Sequence, residues 1–67
     1  MKKEAYAKGY ELGFKDGYDD LAAPDLTELF VRHLERPADP EAFLAFKKGY
    51  EEGRAMGERA RARHQRG

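Results

Sequence analysis

Small and aromatic residues recur with a period of four along two stretches of this chain, and charged residues fill many of the positions between them. The small residues form two series, 40 positions apart: Ala5, Gly9, Gly13, Gly17 and Ala45, Gly49, Gly53, Gly57. Over 5–17 and 45–57, seven of thirteen residues are identical. Four residues make slightly more than one helical turn, so each series predicts a helix with a shallow groove for a second helix.

These glycines lower the stability of the helices, and close packing between the helices has to offset that loss. A glycine inside a helix costs about 1 kcal/mol relative to alanine, so six cost roughly 6 kcal/mol, comparable with the stability of a small domain. A membrane-spanning helix is not the explanation. Segment 5–21 carries six charged side chains, and the chain has no run of 18 apolar residues.

A second row of residues follows one position after each small residue. The row is aromatic in the first repeat and turns charged halfway along the second: Tyr6, Tyr10, Phe14, Tyr18, then Phe46, Tyr50, Arg54, Glu58. Side chains four apart share one helix face, so we expect the rings to flank the groove and line the core. A stacking platform for nucleotide bases is the less favoured interpretation.

Capping signals divide the chain into helices over about 3–21, 25–35 and 40–60. The first ends before Pro24, because the residue preceding a proline is driven out of the helical region. Asp25 is the predicted N-cap of the second helix, with Glu28 as its capping-box partner. Asp39 caps the third helix, and Pro40 suits its first position. Residues 58–67 form a basic tail without an apolar face, which we expect to fray or project.

The predicted fold class is all-α, in a single small domain over 1–67. Two long glycine-grooved helices pack antiparallel and are joined by a short middle helix. This arrangement brings Gly57 near Gly9, and it half-buries Arg54 within reach of Glu11. The spacing does not decide whether the grooves pair within one chain or between two chains.

Composition and charge narrow the classes of function. The chain has 67 residues and no cysteine, which excludes disulfides and thiolate metal sites. Its net charge is zero, but eight carboxylates lie within 16–41, whereas the end of the chain is basic. That basic cluster is a candidate for binding nucleic acid; it consists of Arg54, Arg59, Arg61, Arg63 and Arg66. We expect Arg61, Arg63 and Arg66 to be exposed. The amino terminus lacks the apolar stretch of a secretory signal, so we expect cytoplasmic localisation.

Candidate chemical groups are few. Asp16, Asp19 and Asp20 share a helix face, but their spacing is not that of a calcium loop, and a solvated acidic surface is the favoured interpretation. His33 has only His64 as a histidine partner, and we interpret it as a boundary residue. The chain has no serine, and no nucleophile–base pair or phosphate-binding loop can be assembled. We therefore expect no enzymatic activity, no cofactor and no metal.

The glycine series resembles two known patterns. Ala5, Gly9-Tyr10, Gly13 and Gly17, followed by Ala45-Phe46, Gly49-Tyr50 and Gly53, are similar to the two blocks of the ribosome modulation factor family. The resemblance implies a small bacterial helical protein that associates with ribosomes. That family is strongly basic, whereas this chain is neutral, and its linker is shorter. The repeat alone also resembles the glycine-repeat helix of the flagellar export regulator FliH, where such repeats pair helices in a dimer.

Two functional hypotheses follow. The first is a non-enzymatic interaction module, a homodimer that self-associates through GxxxG-type helix contacts. The second is a factor that associates with ribosomes or RNA through the arginine cluster.

Overall fold

The computed structural model describes residues 2–34 and 39–66, except for the side chain of Arg66. It contains three helices, α1 (Lys2–Tyr18), α2 (Leu26–Leu34) and α3 (Pro40–Arg66). The all-α class, the order of two long helices around a short one, and the packing of α1 on α3 are confirmed. The predicted end of the middle helix at residue 35 and the segment 36–38 that follows it lie outside the described residues.

The helix α1 ends three residues before the predicted position, and Pro24 does not terminate it. Asp20 adopts a left-handed backbone with φ of 56°. Its N–H donates to the Gly17 carbonyl at 3.2 Å, and the Leu21 N–H donates to the Asp16 carbonyl at 2.9 Å. This pair of bonds is a Schellman motif, which closes the last turn and turns the chain away.

The other two helices begin at their predicted caps. The Asp25 carboxylate accepts from the Thr27 N–H at 3.0 Å, and the Asp39 carboxylate accepts from the Ala42 N–H at 3.2 Å. The expected capping box is incomplete, because the Glu28 carboxylate pairs with Arg32 at 2.9 Å, a contact one helical turn away.

The helix α3 continues to Arg66, six residues beyond the predicted end. The expectation that the tail over 58–67 frays is therefore wrong for 58–66, which are helical. Alanine and arginine are strong helix formers, and contacts with the end of α1 hold this part of α3. The Arg61 guanidinium donates to the Tyr18 carbonyl at 2.6 Å, and the His64 ring lies 6.2 Å from the Tyr18 ring.

The two long helices run parallel, and the antiparallel prediction is wrong. Lys2 at the start of α1 pairs with Glu41 at the start of α3, with 2.9 Å between Nζ and Oε2. Arg61 reaches the Tyr18 carbonyl at the other end. Spacing by four reads the same in both directions, so the glycines carry no information on helix polarity. Residues 19–34, which we call the connector, lead from the end of α1 back toward the start of the pair, where Phe30 of α2 contacts Phe43 of α3.

The contact between α1 and α3 has pseudo-twofold symmetry. Each glycine faces the carbonyl of the residue three positions before its repeat equivalent: Gly9 faces Phe46, and Gly49 faces Tyr6. The same rule holds for the other four, Gly13 with Tyr50, Gly53 with Tyr10, Gly17 with Arg54 and Gly57 with Phe14. We call these six glycines the glycine seam. At each of them a Cβ atom would come closer than 3.0 Å to that carbonyl oxygen.

The apolar core lies toward the start of the helix pair. Phe30 of α2 is 3% exposed, and its ring packs edge-on against Phe43 and Phe46 of α3, with centroids 5.5 Å apart in both cases. Ala5 and Ala42 complete the buried cluster. The helix α2 therefore covers one side of the pair.

Candidate interaction surface

The small residues of both repeats lie at the helix contact, with one difference at its start. All six seam glycines and Ala5 are buried, but Ala45 is only half-buried. Ala42, which the four-residue series omits, is 2% exposed instead. It stands three positions before Ala45, where the symmetry of the seam places the partner of Ala5. The spacing by four does not identify Ala42, because this stagger of three residues arises only when the two helices pack.

The seam divides the helix pair into two faces. The covered face consists of Lys8, Leu12 and Asp16 of α1 with Phe46, Tyr50 and Arg54 of α3. The open face consists of Tyr6, Tyr10, Phe14 and Tyr18 of α1 with Leu44, Lys48, Glu52 and Met56 of α3. Each face has a polar contact across the seam. Tyr50 donates to Asp16 on the covered face, and Tyr6 donates to Glu52 on the open face.

The covered face contains a polar network around the buried Tyr50, in which Asp16 and Arg54 are half-buried. The Tyr50 hydroxyl donates to Asp16 Oδ2 at 2.6 Å and accepts from the Arg54 guanidinium at 3.4 Å, while Tyr50 as a whole is 2% exposed. Burial, and then the bond to the Asp16 carboxylate, raise the pKa of the Tyr50 hydroxyl to about 12. Both effects disfavour the phenolate, because the ion would lose hydration and face a carboxylate.

Two arginines of the predicted basic cluster bind the end of α1. Arg54 is half-buried, as expected, but its partners differ from the expected Glu11. It donates to the Leu21 carbonyl and approaches Glu58 at 3.5 Å. Glu11 instead pairs with Lys8 of the same helix, with 3.7 Å between Oε1 and Nζ. Arg61 is not exposed, contrary to expectation, since it donates to the Tyr18 carbonyl. The Arg61 guanidinium satisfies the last carbonyl of α1, and both cations complement the dipole of that helix.

The remaining arginines are divided between exposed and undescribed positions. Arg59 and Arg63 are exposed, and Arg63 was expected to be. The Arg66 side chain lies outside the described residues. A nucleic-acid surface built from this cluster would therefore rest on Arg59 and Arg63 among the described side chains.

The open face is the part of the helix pair with the most exposed apolar side chains. Phe14 is 36% exposed and Leu44 is 63% exposed. Tyr6, Tyr10 and Tyr18 are half-buried. The rings form two pairs along the helix, with centroids 6.2 Å apart for Tyr6 and Tyr10 and 6.5 Å apart for Phe14 and Tyr18.

Residues at equivalent positions of the two repeats lie on opposite faces. Two such pairs do not follow the usual rule that the apolar residue takes the more buried position. Leu12 on the covered face corresponds to Glu52 on the open face, as solvent exposure would favour. Phe14 on the open face corresponds to Arg54 on the covered face, and this pair is reversed. The same reversal relates Met56 to Asp16. The open face thus carries the exposed Phe14 and the half-buried Met56 where the covered face carries half-buried charges.

The other candidate groups do not converge on a site. Asp16 is bound to Tyr50, whereas Asp19, Asp20 and His33 are exposed. In residues 2–34 and 39–66, no group of three histidine or acidic side chains is arranged to hold a metal ion. A shallow apolar pocket of about 280 Å³ lies between α2 and the start of α3, where it is lined by Phe30, Val31, Phe43 and neighbouring residues.

Comparisons with known proteins add no relative. No protein-family model, curated protein or solved structure matches the chain. Within the part of the chain that the structure describes, none of the helices is long and apolar enough to cross a membrane.

Proposed function

We propose that this chain is a small, non-enzymatic interaction module of the cytoplasm that binds a second copy of itself through the open face. The observation that carries the proposal is the reversal at Phe14 and Met56. Apolar side chains at exposed positions cost solubility, and clusters of them mark binding surfaces. Tyrosine, phenylalanine and methionine are also the residue types enriched in the buried centres of protein interfaces.

The size of the core supports self-association. The buried apolar side chains described are Ala5, Phe30, Ala42, Phe46 and Tyr50, a small core even for a domain of this length. Chains of fewer than about 70–80 residues without disulfides or a structural metal often gain stability by oligomerising. A second layer on the open face would bury Phe14 and Leu44 as α2 buries Phe46.

The glycine seam is a weaker candidate for the dimer contact. All six seam glycines already face carbonyl oxygens of the same chain. A dimer built on GxxxG contacts would require α1 and α3 to separate and to exchange between chains. The open face needs no such rearrangement.

Sedimentation equilibrium tests the proposal with a pair of matched leucines. Leu44 lies on the open face and is 63% exposed, and Leu21 lies in the connector and is 51% exposed. We expect the parent to dimerise at high micromolar concentration and Leu44→Glu and Phe14→Glu to be monomeric. Leu21→Glu should dimerise like the parent. A monomeric parent at several hundred micromolar would refute self-association, and a dimer that survives both open-face variants would refute the choice of face.

The second candidate function is association with RNA or ribosomes. Among the described side chains of the arginine cluster, only the exposed Arg59 and Arg63 support it. Contacts between arginine and phosphate make binding steeply dependent on salt. A gel shift on mixed RNA at about 50 mM salt, compared between the parent and Arg59→Ala/Arg63→Ala, tests it. Binding by the parent that the double variant loses would favour this function, and absence of binding would exclude it.

A further inference from the structure

The glycine seam raises a question of register. Its residues recur every four positions, so a shift of α1 by one turn would place each glycine where its neighbour had been. Such a shift moves the helix about 6 Å along its axis. One-turn shifts of this kind occur between packed helices in proteins that switch conformation. Something other than the glycines must therefore select one register.

We infer that Ala5 and Ala45, the first members of the two small-residue series, act as steric stops that exclude both one-turn shifts. Moving α1 toward the end of α3 would bring Ala5 to the place of Gly9. There its methyl group would meet the Phe46 carbonyl. A Cβ atom at that place lies closer than 3.0 Å to the oxygen, a separation that real Cβ atoms essentially never show.

The opposite shift is excluded by the second alanine. Moving α1 toward the start of α3 would bring Ala45 into the relation that Gly49 now has with Tyr6. A Cβ atom there also comes closer than 3.0 Å to the Tyr6 carbonyl oxygen. The obstacle in each case is backbone, which cannot rotate away as a flexible side chain could. The two helices would have to move apart and lose contact along the seam.

The native register tolerates both methyl groups. Ala5 is buried in the apolar cluster, and Ala45 is half-buried. Polar contacts, such as that between Tyr50 and Asp16, favour the native register by attraction, whereas the alanines exclude the neighbouring ones by overlap. The register also decides the composition of the open face. A one-turn shift would place Tyr6 beside Met56 or Lys48 instead of Glu52.

Spin labels on the full-length chain test the inference, because the protein has no native cysteine. Lys3→Cys and Arg63→Cys place labels on exposed sites near opposite ends of the pair. We expect one distance for the parent. Ala5→Gly should add a population shorter by about 6 Å, and Ala45→Gly should add one longer by about 6 Å. The opposite signs distinguish a register shift from general loosening.

Two alanines outside the seam provide matched controls. Ala7→Gly and Ala55→Gly alter exposed positions of the same helices and carry the same cost in helix propensity. Both should keep the single distance of the parent. All variants are also measured with Tyr50→Phe, which removes the attraction to Asp16. If Ala5→Gly and Ala45→Gly keep one distance in both backgrounds, or if the controls also split, the inference is overturned. The labelled protein is mixed with an excess of unlabelled protein, so that each measured distance lies within one chain and does not depend on self-association.

Discussion

The covered face and the open face are built from the same repeat and related by the same pseudo-twofold symmetry, yet they have opposite environments. Phe46 is 0% exposed and Tyr50 is 2% exposed, whereas their repeat equivalents Tyr6 and Tyr10 are half-buried. A symmetric helix pair has two equivalent faces, and a single connector covers only one of them. Repetition of the glycine-lined helix therefore gives the pair a second face of the same geometry, which α2 leaves uncovered.

The largest expected difference between the faces is that between Phe46 and Tyr6. Phe46→Ala removes a buried ring that contacts α2, so we expect a loss of about 3–5 kcal/mol in the free energy of unfolding. Tyr6→Ala removes a half-buried ring and its bond to Glu52, and the loss should be about 1 kcal/mol. Urea denaturation at low protein concentration measures both. Similar losses would show that the two faces do not differ in burial.

Substitutions in the glycine seam, unlike those on the two faces, should destabilise the protein equally in both repeats. Gly13→Ala places a methyl group against the Tyr50 carbonyl, and Gly53→Ala places one against Tyr10. We expect each to lose about 2–3 kcal/mol through overpacking, even though alanine gains about 1 kcal/mol of helix propensity. Lys15→Ala, on the exposed side of α1, serves as the control and should change stability little. A clear difference between the two glycine variants would contradict the symmetry.

The free energy of unfolding at alkaline pH should depend on the Tyr50 hydroxyl of the covered face. The folded pKa of Tyr50 is about 12, above the ordinary value of 10.0. The stabilisation from its neutral hydroxyl is therefore fully present below pH 10 and is lost as the pH rises toward 12. Two pKa units correspond to roughly 2–3 kcal/mol.

The matched variants are Tyr50→Phe and its repeat equivalent on the open face, Tyr10→Phe. At pH 7, Tyr50→Phe should lose about 1–2 kcal/mol through the broken bond to Asp16. It should also lose less stability than the parent between pH 10 and 12. Tyr10→Phe should follow the parent in both respects. An alkaline profile of Tyr50→Phe identical to that of the parent would contradict the role of this hydroxyl.

The smallest expected effect is at the turn that leads from α1 to the connector. Asp20 occupies the left-handed position that glycine fills at least strain, and its charge lies near the negative end of the helix dipole. Asp20→Gly should therefore stabilise the protein by about 0.5–1 kcal/mol. Asp19→Gly, one residue earlier and without a positive φ, is the control and should give no gain. Thermal unfolding of the three proteins makes the comparison.

Much of the helix pair could be predicted from local signals. Asp25 and Asp39 cap their helices as expected, and the spacing by four identifies the residues that meet between α1 and α3. The length of the segment over 19–39 permits parallel as well as antiparallel packing of the two long helices. Antiparallel neighbours need only a short loop, whereas parallel ones need a segment that returns along the pair. The role of Arg61 at the end of α1 could not be foreseen, because it depends on that polarity.

Local signals in the sequence determine three helices, the capped starts of α2 and α3, and a glycine-lined contact between the two repeats. These features follow from backbone propensity, capping chemistry and helical period, all of which act over a few residues. The tertiary structure alone decided that α1 and α3 are parallel, that Ala42 is the buried partner of Ala5, and that one face is covered. The physical reason is that a four-residue groove is the same from either end. Contacts between residues distant in the chain decide which residues face the groove, in which direction the two helices run, and which face α2 covers.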